Sequence, residues 1–94
     1  MADISNIVKS IIEHQQLVMG PLALEQANKV TGLNVSDGAN IQVKITGSDS
    51  DKILTELVEK YEQLFGRASV EVCRDAVKEV KPPVEVDQLP QILR

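Results

Sequence analysis

The 94-residue chain reads as an α+β domain, and three observations predict it. Stretches on either side of the middle carry apolar residues at helical spacing. One short stretch, NIQVKITG, alternates apolar and polar residues, and Gly- or Pro-containing steps separate these runs. The expected order is two N-terminal helices meeting at Gly20–Pro21, a small sheet centred on 41–46, two further amphipathic helices at about 49–65 and 68–80, and an extended C-terminal tail. Residues 1–83 are expected to form one domain, with 84–94 an extended or partly flexible tail.

The first helix begins near Ile4, with Asp3 or Ser5 available to cap it. Apolar residues at 4, 7, 8, 11, 12, 18, 19 and 22 define its face, Asn6, Lys9 and Glu13 lie opposite, and His14 sits at the edge. In QQLVMGPLALEQ the run meets Gly20 and Pro21, the two poorest residues for a helix interior. Beyond Pro21 the pattern changes phase, because Ala23, Ala27 and Val30 mark a face turned by roughly 100°, at about 100° per residue. A straight continuation would carry Glu25 and Lys29 toward the first stripe instead. An unbroken helix over 3–31 would also run about 43 Å, too long for a body whose radius of gyration should be about 12 Å. Pro21 suits a first turn, where its missing N–H has no partner to lose. Gly32 is expected to close the second helix, with Lys29 near its negative end.

VSDGAN is turn chemistry, and after it Ile41, Val43 and Ile45 alternate with Gln42, Lys44 and Thr46 as in a half-buried strand. A strand needs a neighbour to pair its backbone groups. Three are available: Leu33 to Val35 across the turn, VEV at 84–86, or the same strand of a second copy. The next helix is opened by Ser48 or Asp49 and ended by Gly66, with a stripe of Ile53, Leu54, Leu57, Val58, Tyr61, Leu64 and Phe65. In ASVEVCRDAVKEV, Val72, Cys73, Ala76, Val77 and Val80 share one face for three turns, so a helix is preferred to a strand, and Pro82–Pro83 stop it. With one Phe, one Tyr and no Trp, the core must be aliphatic, and Tyr61 and Phe65 are expected to be its largest pieces.

The segment IQVKITGSDSDKILTELVEKY resembles the strand–helix portion of KH-type RNA-binding domains over about a fifth of the chain. The shared features are an alternating strand, a Gly and an amphipathic helix a few residues later. The GXXG loop through which that family clamps a nucleic-acid backbone is missing, so no binding residue carries over.

Composition narrows the function classes. A net charge of −4, with ten Lys and Arg scattered among fourteen acids, gives no general attraction for nucleic acid or an anionic membrane. One cysteine, Cys73, makes an internal disulfide framework impossible and suits a reducing compartment. Asp3 stands where a secretory signal would carry a basic residue, and no apolar run is long enough to span a bilayer, so a cytoplasmic protein is expected. Catalytic sets are hard to assemble. His14 beside Glu13 is the one candidate acid–base group, and Cys73 beside Arg74 falls on an apolar face. Asp49 and Asp51 lack cation-loop spacing and read as helix-capping acids; no phosphate-binding glycine motif occurs. The chain is therefore expected not to be an enzyme and to use no metal or cofactor.

Apolar supply remains. Leu17 and Leu24 fall off both stripes, beside Met19 and Leu22. The reading that follows is a non-catalytic interaction or assembly module, homodimeric or a small subunit of a larger complex. Its expected surface is Leu17, Met19, Gly20, Pro21, Leu22 and Leu24, with His14 nearby. The alternative is a small-molecule or nucleotide sensor with a pocket at the Gly20–Pro21 corner.

Overall fold

The computed structural model describes residues 4–37, 41–46, 49–80 and 89–93. In order they form α1 (Ile4–Met19), α2 (Leu22–Ala27), β1 (Leu33–Asp37), β2 (Ile41–Ile45), α3 (Ser50–Phe65) and α4 (Arg67–Lys78), followed by a 3-10 turn at Gln91–Leu93. The fold is α+β, four helices around a two-stranded antiparallel sheet. Its Cα radius of gyration is 11.8 Å and its longest axis 30 Å, a body that an unbroken N-terminal rod would overshoot.

Each helix buries one stripe. α1 contributes Ile7, Val8, Ile11, Ile12, Gln15 and Met19; α3 contributes Ile53, Leu54, Leu57, Val58 and Tyr61; α4 contributes Ser69, Val70, Cys73, Ala76 and Val77. α4 is the middle layer, packed against α1 on one side and α3 on the other, while the hairpin lies on α1 and α2. Small residues let the helices approach: Ala23, Ala27, Cys73 and Ala76 are all fully buried. α3 starts as its sequence predicts, the Asp49 carboxylate accepting the Lys52 N–H at 3.1 Å.

The strand at 41–45 pairs with Leu33–Asp37, the first of its three candidate neighbours, with Leu33 opposite Ile45, Val35 opposite Val43 and Asp37 opposite Ile41. VEV at 84–86 lies outside the described residues. Leu33 and Val35 go into the core while Asn34 and Ser36 face out, the period-2 alternation of a strand with one covered face.

Three expectations need correction. α2 ends at Ala27, not at Gly32. Asn28 stops it by turning its side chain to β1, with Nδ2 donating to the Val35 carbonyl at 2.8 Å and Oδ1 accepting the Val35 N–H at 2.7 Å. Gly32, at φ +87°, instead makes the turn into β1. Leu64 and Phe65 continue the α3 stripe but are 45% and 47% exposed, because the chain reverses at Gly66 and no element among the described residues covers the last turn. The tail expected to be extended over 84–94 falls within the described residues only at 89–93, and there it forms a 3-10 turn, with Leu89 and Leu93 buried in the core and Arg74 Nε donating to the Ile92 carbonyl at 3.3 Å.

Candidate interaction surface

α1 and α2 meet at Gly20, φ +61°, and α3 and α4 meet at Gly66, φ +73°. Both corners use a left-handed backbone that only glycine adopts without strain. Two long-range hydrogen bonds bring the corners together. Gln15 Nε2 donates to the Ser69 carbonyl at 2.9 Å, and Tyr61 Oη donates to the Ala23 carbonyl at 2.7 Å. Gln15 lies five residues before Gly20 and Ser69 three after Gly66, while Ala23 lies three after Gly20 and Tyr61 five before Gly66. The glycines are therefore flanked by a tether on each side, and the two corners form one end of the molecule.

That end collects the exposed apolar side chains. Leu17, Val18, Leu22, Leu64 and Phe65 are the large hydrophobic residues exposed among those described, and every one lies within three residues of Gly20 or Gly66. Leu17, 87% exposed, points straight away from the α1 core stripe. Pro21 is exposed beside it, φ −60°, at the start of α2. No family model, curated protein or solved structure matches this chain. Among the described residues β2 is followed by α3 within an ααββαα order.

Of the residues expected at this surface, Leu17, Pro21 and Leu22 are exposed and Gly20 half-covered. Met19 is turned inward, since it extends the row Val8, Ile12, Gln15 along the core side of α1. Leu24 is partly buried against the core. Sequence reasoning missed Val18, Leu64 and Phe65, because stripe position says which way a side chain faces and not whether anything lies beyond it. Val18 follows half-buried His14 by one turn, at the edge of the stripe where α1 stops.

His14 stands away from this end, at the junction of α1 with the C-terminal end of α4. Nδ1 meets the Ser10 carbonyl at 2.8 Å, and Nε2 meets the Glu79 carboxylate. A carbonyl and a carboxylate are both acceptors, so two N–H donors satisfy the ring and the imidazolium form is favoured. Burial works against that charge, but the Ser10 and Glu79 hydrogen bonds and the negative charges of Glu79 and Glu13 outweigh it, raising the pKa above the ordinary 6.5. A raised folded-state pKa contributes stability that is complete below the unfolded value and is lost as pH rises through the folded value. The urea midpoint should therefore fall as pH climbs above about 6.5. A His14→Gln variant should lose that slope, and an unchanged slope would show that other groups produce it.

The cysteine has no such role in this geometry. Cys73 is fully buried, and burial pushes its thiol up to about 11 against the opposing pull of the Gln15 amide, which donates to Sγ at 3.2 Å. It is a protonated core side chain at neutral pH. Among the described residues no group of three or more His, Cys, Asp or Glu is placed to hold a metal ion, and no helix is long and apolar enough to cross a membrane. Two open concavities lie elsewhere, about 390 Å³ on the outer face of the hairpin and about 300 Å³ beside Asp49, Asp51, Glu56 and Glu59; neither is lined by corner residues.

Proposed function

We propose that this protein is a non-catalytic assembly module that buries its two-corner end against another protein chain, a second copy being the simplest partner. The observation that carries the reading is the concentration of Leu17, Val18, Leu22, Leu64 and Phe65 at one end of an otherwise well-segregated fold. Scattered single apolar residues need no explanation, but a collection of them at one site favours contact with another apolar surface. Removing Leu and Phe side chains from water contributes about 1.5–3 kcal/mol each when burial is complete. The end is aliphatic, with Phe65 its one aromatic anchor, so affinity would come from area and fit more than from hot-spot residues.

The sedimentation of wild type and of a Leu17→Glu/Phe65→Glu variant tests this. Both sites are exposed, so the variant should keep its helical circular dichroism. The sedimenting mass of wild type should rise above the 10.3 kDa of a monomer as concentration increases, and the variant should associate more weakly. Equal association of the two would remove the corner end from the mechanism.

A further inference from the structure

The two edges of the hairpin are treated differently. Thr46 N–H donates to the Gly32 carbonyl at 2.8 Å, which makes residues 32 and 46 a hydrogen-bonded pair. Counting along the antiparallel register, Asn34–Lys44 and Ser36–Gln42 are then also hydrogen-bonded pairs. Leu33, Val35, Ile41, Val43 and Ile45 belong to the alternate pairs, whose N–H and C=O groups point away from the partner strand. On the β1 side those of Val35 are both taken by the Asn28 side chain, which acts as a short substitute strand. On the β2 side, none of the hydrogen bonds among the described residues uses the outward backbone groups of Ile41, Val43 or Ile45. Side-chain cover follows the same asymmetry in part. Leu33 and Val35 of β1 are 3% and 6% exposed, whereas in β2 Ile41 is buried and Val43 and Ile45 are only partly buried against the core.

We infer that the outer edge of β2 pairs with β2 of a second copy, antiparallel and centred on Val43, joining two hairpins into a four-stranded sheet. The register is selected by the residues themselves. Centred on Val43, Ile41 faces Ile45 of the other copy, Val43 faces Val43, and Gln42 faces Lys44. Every outward-pointing residue meets another outward-pointing residue, so Ile41, Val43 and Ile45 all sit in hydrogen-bonded pairs. Apolar side chains meet apolar ones on the covered face, and no like charges oppose. Centring on Lys44 would set two ammonium groups against each other, and centring on Gln42 would leave Ile45 without a backbone partner. A two-fold axis through this edge is self-complementary, as an isologous interface must be. The inference concerns a surface other than the corner end, and the two stand or fall separately.

The test uses the full chain in the Leu17→Glu/Phe65→Glu background, which removes association through the corners. Sedimentation equilibrium should show a dimer at high concentration. Gln42→Glu places a carboxylate opposite Lys44 twice per dimer and should tighten it by roughly 2- to 30-fold, while Gln42→Lys should loosen it by a similar factor. Gln42→Lys/Lys44→Glu should restore association. Gln42 and Lys44 are exposed, so each variant should fold. Hydrogen exchange supplies an independent readout, with the Val43 amide protected in the dimer and exchanging freely on dilution to monomer. A monomer at every concentration would overturn the edge proposal, as would a dimer indifferent to charge at residue 42. Val43 protection in a monomer would show that another segment of the same chain occupies the edge, and would overturn it too.

Discussion

Tyr61→Ala should cost about 3–5 kcal/mol, a large fraction of the roughly 5–15 kcal/mol that holds a domain of this size together. Tyr61 is fully buried, the largest side chain in the core, and the aliphatic residues around it have no spare volume to fill the space it would leave. Tyr61→Phe separates the ring from the hydroxyl. It keeps the volume and loses only the 2.7 Å bond to the Ala23 carbonyl, so its cost should be about 0.5–1.5 kcal/mol. Phe65, one helical turn later in the same stripe, is the internal control. With 47% of its surface in water, Phe65→Ala should cost the isolated monomer far less than Tyr61→Ala. Urea denaturation at low protein concentration measures all three. A Phe65 penalty as large as that of Tyr61 would mean that the corner end is already covered under those conditions.

Asn28→Ala should cost about 1–3 kcal/mol through loss of both hydrogen bonds to Val35, at about 0.5–1.5 kcal/mol each. Asn28→Asp should do no better. It retains an acceptor for the Val35 N–H but sets a second carboxylate oxygen against the Val35 carbonyl, where an amide donor is required. Faster exchange of the Val35 amide in the alanine variant is the specific readout, and unchanged exchange there would show that Asn28 contributes little to holding β1. The alanine variant should also associate more readily, since it opens the one sheet edge that a side chain closes.

These two residues also mark what was legible in the sequence. α3 was readable because seven apolar residues keep helical phase without a break, and α4 because its pattern lasts three turns between Gly66 and the prolines. The corner at Gly20 was readable from the phase change between Ile4–Met19 and Ala23–Ala27. Where α2 stops was not, because the deciding interaction joins Asn28 to Val35, and nothing local marks an asparagine that will serve a strand seven residues on. β1 was one option among three for a similar reason: Leu33 to Val35 is too short an alternation to be recognised without its partner. The site was half legible. Leu17 stands off every stripe and announces itself, whereas Phe65 is indistinguishable by spacing from Tyr61, and Met19 lies in the same apolar run as the exposed Val18. Those outcomes depend on where helices end relative to their neighbours, a property of the assembled fold.

The stacking of α1 on α4 has a consequence for the order in which the protein is made. Ser10 Oγ donates to the Ala76 carbonyl across 66 residues of sequence, and Gln15 reaches Ser69 across 54. The apolar face of α1 is thus completed only after α4, far along the chain from it, has been made. At about 5–20 residues per second, that face spends several seconds without the cover that α4 supplies, with only α2 and the hairpin against it. Because these distant contacts carry the loop-closure cost before they stabilise anything, folding should be slow for so helical a chain and should wait for α4. Nascent chains stopped before Arg67 should stay open and bind chaperones that recognise aliphatic helices, while chains extended past Lys78 should close in one cooperative step.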